Sequence, residues 1–314
     1  MKMSKFIKST LILLVGGFLT KVLGMLIKII TTRIIGTETL GLYMLIMPTF
    51  NLFITLAQGG LPISVSKIVS ENKKDNKKIV FSSIFISICT TFFLMILLIF
   101  ISPLIAKFLH NDSLSFPIMC IGLTLPFISL SGIIRGYFFG KENMFPHVLS
   151  NNFEQVVRII LNIIFLPLLS NYEPRVSVTF LILSNVISET TSIIILYFFL
   201  PRKIKITKEM LKPEKIIIKD VLNISIPTTG SRIIGTIGYF LEPIVLTSFL
   251  LMNGYTTNYI TYEYGVLTGY VMPLLLLPSF FTMAISQATL PVISNGYANN
   301  KIPYVKKKIK QSLL

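Results

Sequence analysis

The sequence has few of the residues on which most soluble proteins and enzymes depend. Only 13% of its 314 residues are charged, against about a quarter in a typical soluble domain. It has no tryptophan, two histidines and two cysteines. Cys89 and Cys120 have no CxxC partner and lie in apolar runs, which argues against a disulfide framework or a metal site. No P-loop, HExxH or GxSxG motif is present, so we predict no enzyme and no cofactor.

Long apolar runs are what the sequence does have. Hydrophobic residues make up 53% of the chain, and the mean hydropathy is +0.76. A helix needs about 20 mostly apolar residues to span a bilayer, so we predict an all-α polytopic membrane protein. The eight predicted spans cover residues 7–33, 41–62, 80–106, 115–138, 148–170, 176–200, 221–250 and 263–290.

The basic residues are concentrated on one side of the predicted spans. Of the 29 lysines and arginines, 22 lie on the side of the amino terminus and three on the opposite side; Arg135 is counted among the 22, in the loop after the fourth span. Cytoplasmic loops carry such an excess, which predicts a cytoplasmic amino terminus. The net charge of +16 therefore indicates contact with anionic lipids rather than nucleic acid. The runs 63–79 and 201–219 are expected to lie along the inner leaflet, with solvated loops as the alternative.

Two cations stand inside predicted spans in a repeated setting. Lys21 occupies the sequence TKVLG at 20–24, and Arg232 occupies SRIIG at 231–235. A cation at the centre of a spanning helix costs roughly 3 kcal/mol on insertion scales, so it is usually retained for a function. A second match, LPIS at 61–64 and LPVIS at 290–294, follows in the same order. We interpret the two copies as a duplicated architecture of the kind that secondary transporters use.

The repeat predicts how the chain divides. Residues 1–200 are expected to form a complete six-helix amino-terminal lobe, 201–220 a basic linker between lobes, and 221–314 an incomplete carboxy-terminal lobe. The last residues have the composition of a segment that leads into a ninth span. We therefore expect the chain to be a fragment of a longer protein.

Small and charged residues share one face on each helix that carries an intramembrane cation. On the first span this face runs from Gly17 through Lys21 to Lys28, and on the seventh from Thr228 to Glu242, in steps of three or four residues. If the faces converge, they form a polar cleft whose cations suit a diphosphate. For Lys28, snorkelling to the interface is the alternative. The predicted substrate-binding residues are Lys21, Lys28, Asn51, Gln58, Arg232 and Glu242.

Other polar residues inside the predicted spans have simpler interpretations. Glu154 and Arg158 are four residues apart on the fifth span, and we expect them to neutralise each other. Glu189 on the sixth span is a candidate carrier of a coupling proton or cation, with helix–helix hydrogen bonding as the alternative. The glycines at 132, 136 and 140 form a ridge that predicts close helix packing.

Several segments resemble a known transporter family. They are TKVLGMLIKIITTRIIGTETLGLYMLIMPTFNLFITLAQGGLPISVSKIVSEN at 20–72, GYFFGKENMFPHVLSNNFEQVVRI at 136–159, SIPTTGSRIIGTIGYFLEP at 225–243 and LPSFFTMAISQATLPVIS at 277–294. In this order they resemble a family of the bacterial plasma membrane, the stage V sporulation protein B and polysaccharide-exporter (lipid II flippase-like) proteins of the multidrug/oligosaccharidyl-lipid/polysaccharide exporter (MOP) superfamily. The resemblance implies two helical bundles that face a central cavity, with more spans than this chain contains. It also implies flipping of an undecaprenyl-diphosphate-linked saccharide, such as a peptidoglycan precursor for the spore cortex, with cell-wall synthases as candidate partners.

Two other functions remain open at this point. A cation-coupled multidrug antiporter of the same fold needs an acidic cavity, in which Lys21 and Arg232 would repel the cargo. A non-transporting remnant, or a scaffold for cell-wall synthases, would fit an incomplete second lobe. We expect the flippase function because both conspicuous intramembrane residues are cations.

Overall fold

The computed structural model describes residues 5–201, 214–276 and 278–313. The first four residues and most of the predicted linker 201–220 therefore lie outside the described residues. Within the described ranges the regular elements are helices. They are α1 (Lys5–Gln58), α2 (Leu61–Glu71), α3 (Asn76–Phe108), α4 (Ser115–Gly140), α5 (Phe145–Leu169), α6 (Pro174–Phe198), α7 (Lys215–Met252), α8 (Thr257–Val266), α9 (Met272–Leu275), α10 (Ser279–Ala298) and α11 (Ile302–Leu313), with a 3₁₀ turn at Asp112–Leu114 and a π-helix at Leu267–Val271.

Six helical stretches of the described residues are long and apolar enough to cross a membrane. The first contains the two predicted spans 7–33 and 41–62, and α3 to α7 correspond to predicted spans three to seven. The prediction of an all-α, multi-pass membrane protein is therefore confirmed. The main difference among these spans is that α7 begins at Lys215, six residues before the predicted start.

Gly36 divides α1 into two helices that run in opposite directions. Its backbone angles, φ 78° and ψ 166°, lie in a region that essentially only glycine adopts. Before it, Ser9 bonds to the carbonyl of Glu142, and Asn162 bonds to Thr31, so this half runs parallel to α5. After it, α1 runs parallel to α4, since the Ser129 hydroxyl donates to the Ala57 carbonyl and α2 continues along the last turns of α4. We call the side of the bundle with the amino terminus the amino-terminal side, and the opposite side, near Gly36, the far side.

The prediction that residues 63–79 lie along the membrane surface is wrong for α2. Seven of its eleven residues are buried, among them Val65 and Val69. The helix starts after Gly60, which adopts a left-handed conformation with φ 66° and lies against α7, where an added Cβ would be 2.9 Å from the Ser225 carbonyl oxygen. Serines alternate with the aliphatic residues, so the helix is small enough to fit between α4 and α7.

The glycine ridge of α4 packs against α2, as the spacing predicts. A Cβ added to Gly136 would lie 2.5 Å from the Pro62 carbonyl oxygen, and one at Gly140 would lie 2.7 Å from the Ser66 carbonyl oxygen. The two backbones therefore approach each other at a distance that larger residues would prevent.

We expect Gly136→Ala to destabilise the protein by about 1–3 kcal/mol, the usual cost of overpacking. Because the nearest atoms belong to the backbone of α2, they cannot move aside as a flexible side chain would. Gly24→Ala is the matched control, since no atom lies within 4 Å of the added Cβ. Thermal unfolding in detergent measures both. Equal stability of the two variants would contradict the packing described for α4.

The eighth predicted span, 263–290, is wrong as a single helix. The structure breaks it into α8, the π-helix and α9, which end at Leu275, and a separate α10 that starts at Ser279. Proline at 273 lacks the N–H that an α-helix needs, and a second proline at 278 precedes α10. The polar residues Ser279, Thr282 and Ser286 therefore belong to α10.

Candidate functional site

Four charged side chains form a buried ion-pair network at the crossing of α4, α5 and α6. Nη2 of Arg135 donates to Oε2 of Glu154 at 2.9 Å and to the Ser192 hydroxyl at 2.8 Å, and lies 3.4 Å from Oε2 of Glu189. Nη2 of Arg158 donates to the other oxygen of Glu154 at 2.8 Å. The side chains are between 7% and 20% exposed. Two positive and two negative charges balance, which reduces the cost of burying them.

The assignment of Arg135 to a loop is wrong. It lies inside α4, which continues to Gly140, and its guanidinium group is the centre of the network. The predicted Glu154–Arg158 pair is present, but it is only half of the arrangement. The available sequence signal was the helical glycine ridge, which continues through position 136 and so places Arg135 within the helix.

The amino-terminal half of α1 carries the first pair of candidate cations. Lys21 is half-buried, and within the described ranges its ammonium group has no hydrogen bond or ion pair. Lys28 is also half-buried, and its Nζ donates to the Thr268 carbonyl oxygen at 3.2 Å. This contact joins α1 to the π-helix after α8, and it favours a role inside the bundle over snorkelling to the interface.

The π-helix explains why the Thr268 carbonyl can accept from a lysine. In a π-helix each carbonyl bonds to the N–H five residues later, as Leu267 does with Met272. Five residues after Thr268 comes Pro273, which has no N–H. The ammonium group of Lys28 therefore satisfies a carbonyl that the helix leaves unpaired.

The predicted polar face of α7 reaches two neighbouring elements. At one end Thr228 lies beside Gly60, at the start of α2. At the other end Glu242 and Tyr239 lie within electrostatic range of Tyr264, a buried residue of α8. Because Thr268 is one turn beyond Tyr264, the faces of α1 and α7 both meet the segment that contains α8 and the π-helix.

Arg232 lies in the middle of the α7 face. Its side chain is exposed, and it has no hydrogen-bond or ion-pair partner among the residues that the structure describes. Glu242 is likewise exposed. An exposed guanidinium group at membrane depth remains unpaired unless lipid, water, ligand or other protein contacts it.

Gly24 and Gly235, the glycines that end the two repeated five-residue sequences, border open space, unlike the glycines that pack against other helices. No atom lies within 4 Å of a Cβ added to Gly24 or to Gly235, whereas one added to Gly16 would clash with Val148. Gly24 and Gly235 follow Lys21 and Arg232 by three residues, on the same helical faces. Both cations therefore lie beside unfilled volume.

Asn51 and Gln58 take different positions. Asn51 is exposed, and no hydrogen bond of its side chain occurs in the described part of the chain. Gln58 is half-buried, and its amide nitrogen would be 3.4 Å from a Cβ added to Gly132. Gln58 thus packs against α4, while the exposed Asn51 side chain remains available to a ligand.

Glu189 is part of the network and belongs to a buried face of α6 that also includes Ser188 and Ser192. Its ion pair with Arg135 gives it a structural role. A role in carrying a coupling proton or cation stays a prediction.

Proteins of known sequence resemble the chain over half of its length or nearly all of it. It is 37% identical to stage V sporulation protein B of Bacillus subtilis strain 168, over 98% of this chain and 62% of that protein. It is 28% identical to sporulation protein YkvU of the same organism, over 99% of this chain and 70% of that protein. The lipid II flippase MurJ of that organism is 27% identical, over 50% of this chain and 31% of that protein. The chain thus spans less than two thirds of the length of stage V sporulation protein B.

Solved structures share the fold. A MOP-superfamily transporter from Pyrococcus furiosus superposes with a TM-score of 0.75 at 19% identity, over 97% of this chain and 68% of that chain. The MATE multidrug transporter DinF-BH superposes with a TM-score of 0.76 at 16% identity, over 98% of this chain and 68% of that chain. The sequence model of the family described as polysaccharide biosynthesis protein matches residues 6–296. With this match, the close relatives and the helical architecture, the chain belongs to the polysaccharide biosynthesis protein family and has the fold of MOP-superfamily transporters.

Proposed function

We propose that this protein moves a lipid-linked saccharide across the membrane. The observation that carries the proposal is the set of three intramembrane cations on the small-residue faces of α1 and α7: Lys21, Lys28 and Arg232. Among the described residues none of them is paired with a carboxylate, so their positive charges are available to an anionic group. Gly24 and Gly235 leave room beside them.

A diphosphate is the group that this chemistry fits best. Ammonium and guanidinium groups form short, charge-assisted hydrogen bonds with phosphate oxygens, and a guanidinium group can contact two oxygens at once. Glu242 and Asn51 are exposed and can accept hydrogen bonds from sugar hydroxyl groups. The substrate we propose is an undecaprenyl-diphosphate-linked saccharide of the lipid II type, whose prenyl tail stays in the bilayer while the headgroup passes between two lobes. The relatives that are named for sporulation and for lipid II flipping support this assignment.

The transport step would be a rocking of two lobes, built from residues 1–200 and 221–314, around this cationic cleft. Because α1 and α7 both carry positive charge, the cleft attracts the diphosphate when it is open to either leaflet. The same residues therefore serve uptake and release. No bond of the substrate is made or broken in such a cycle, and we propose a transporter rather than an enzyme.

The charges also distinguish this function from the export of organic cations. Glu154 and Glu189, the buried acids of the described amino-terminal helices, are held by Arg135 and Arg158. They are not free to attract a positively charged drug, and Lys21 and Arg232 would repel one. An antiporter of organic cations therefore fits the site less well.

The function is tested with the purified protein in liposomes. A fluorescent lipid II analogue is placed in both leaflets, and an impermeant quencher reports how fast it changes sides. We expect faster exchange with the protein than in empty liposomes, and no uptake of a fluorescent organic cation in the same vesicles. Cation uptake without lipid exchange would favour the antiporter instead.

The amino terminus is proposed to be cytoplasmic, because the sequence predicts 22 of the 29 basic residues on its side. Once Arg135 is moved into α4, 21 of them remain there, so the bias persists. With Cys89 and Cys120 replaced by serine, Asn143→Cys on the amino-terminal side should resist an impermeant thiol reagent added to whole cells. Ser113→Cys on the far side should react, since both positions are exposed. The reverse pattern of labelling would invert the proposed orientation.

A further inference from the structure

An apolar crevice separates α7 from α1 and α3. Its volume is about 450 Å³, and all of its lining side chains are apolar, including Phe53 of α1, Leu104 and Phe108 of α3, and Ile244 of α7. This volume is within the roughly 300–1,000 Å³ of ligand pockets. Lys21, Lys28 and Arg232 do not line it, so the crevice is distinct from the polar faces of the proposed transport site.

Hydrocarbon is the material that can fill this crevice in a membrane. Apolar cavities do not hold ordered water, because they offer it no hydrogen bonds, but they do take up apolar molecules. Leu104 and Phe108 are each 52% exposed, so the crevice is open sideways to the acyl chains of the bilayer. An acyl chain that enters the crevice exchanges contacts with other lipids for contacts with three helices.

The far-side end of the crevice is polar and cationic. Lys107 lies in the last turn of α3, next to the lining residue Phe108, and His110 lies just beyond the end of α3. On α7, Ser248 follows Ile244 by one helical turn. The His110 ring nitrogen Nε2 and the Ser248 hydroxyl are 3.0 Å apart and exposed, and they bridge the two elements. Lys107 is exposed, and no hydrogen bond or ion pair of its side chain occurs within the described ranges.

We propose that the crevice binds one acyl chain of an anionic phospholipid from the far-side leaflet. The phosphate lies at Lys107 and His110, where an ammonium group and an imidazole or hydroxyl donor are available, and the chain extends inward along Leu104 and Ile244. A crevice with an apolar interior and a cationic far-side end matches an anionic amphiphile in both shape and charge. The bound chain fills the gap between α7 and the helices that it faces, and this site does not depend on the proposed transport activity.

The test measures lipid retention by native mass spectrometry on the purified protein, with dioleoyl phosphatidylglycerol as the anionic probe and dioleoyl phosphatidylcholine as the zwitterionic one. Ile244→Trp fills the crevice, and Val245→Trp, whose parent residue is 63% exposed to lipid, is the matched control. We expect Ile244→Trp to weaken retention of phosphatidylglycerol by roughly tenfold or more, because the indole ring occupies the volume that the acyl chain would fill and overpacking of an apolar site carries a cost of that order. Val245→Trp should retain it as the unmodified protein does.

The role of the cationic far-side end is tested with Lys107→Gln. This variant should prefer phosphatidylglycerol over phosphatidylcholine about fivefold less strongly, because one basic residue near a membrane surface typically has an effect of that size. Arg175→Gln, on the same side but paired with Glu173, should leave the preference unchanged. Equal retention by Ile244→Trp and Val245→Trp would overturn the proposal. Displacement of phosphatidylglycerol by an equal concentration of undecaprenyl phosphate would also overturn it, because the crevice would then belong to the transported lipid.

Discussion

Replacing Lys21 and Arg232 together by alanine should abolish transport of the lipid-linked saccharide while the protein still inserts and folds. Loss of one charge-assisted contact typically costs about 1.5–3 kcal/mol, which corresponds to roughly tenfold to more than a hundredfold in binding. Each single variant should therefore transport slowly, and the double variant should show no exchange above empty liposomes. Folding should not suffer, because neither side chain has a hydrogen bond or ion pair among the described residues.

The variant separates a binding role from a structural one. Removing a cation from a spanning helix also removes the cost of inserting it, roughly 3 kcal/mol per residue, so expression should stay the same or improve. Arg232→Lys keeps the charge but not the planar fork, and its transport should be partial if charge alone matters and weak if two phosphate oxygens are contacted. Arg33→Ala is the control, since Arg33 is an exposed cation of α1 near the far side. Normal transport by a well-inserted double variant would remove the basis of the proposed site.

The spanning helices were predictable because each satisfies its own backbone hydrogen bonds, so length and apolarity are enough to identify them. The face that contains Lys21 and Lys28 was predictable for a similar reason, since three- and four-residue spacing fixes which side chains share a side of a helix. The glycine ridge of α4 was also predictable, because Gly136 and Gly140 stack on one side and favour close packing. These features depend on residues that are near one another in the sequence.

Beyond the Glu154–Arg158 pair, the ion-pair network was not predicted, because its other partners are distant in sequence. Arg135 stands 19 residues from Glu154 and 54 from Glu189, and spacing within one helix says nothing about contacts between α4, α5 and α6. A cation near the end of an apolar run also looks like a loop residue, since hydropathy cannot tell a buried ion pair from a solvated charge. Only the packing of the three helices brings the charges together.

The prediction that residues 263–290 form one helix was wrong for a different reason. Residues 263–290 have enough apolar length, and membrane helices tolerate proline when neighbouring groups satisfy the freed carbonyls. Length and apolarity therefore predicted one helix. Pro273 was the local signal for the π-helix, but the group that satisfies the Thr268 carbonyl, Lys28, lies 240 residues away. The break in this predicted helix therefore depends on tertiary contacts rather than on the local sequence.

Replacing Arg135 by alanine should destabilise the protein strongly. The change leaves Glu189 without a cation and Glu154 with one instead of two, while both carboxylates stay buried. Breaking a buried ion pair by removing one partner typically costs about 3–5 kcal/mol, because the remaining charge is uncompensated. We expect a lower unfolding temperature in detergent and reduced yield. Arg175→Ala, which breaks an exposed pair with Glu173, should change stability by less than about 1 kcal/mol.

A second substitution tests whether the charge or the packing is responsible. Combining Arg135→Met with Glu189→Gln removes one cation and one anion and keeps similar side-chain lengths, so it should recover part of the lost stability. No recovery would mean that Arg135 acts by packing and by its 2.8 Å hydrogen bond to Ser192 rather than through its charge.

The variant Glu189→Gln alone tests whether the Glu189 carboxylate has a role in transport. If Glu189 only binds Arg135, transport should persist in the folded variant, because Glu154 still holds the guanidinium group. If Glu189 carries a coupling proton or cation, the same variant should fold and yet lose the dependence of transport on the ion gradient.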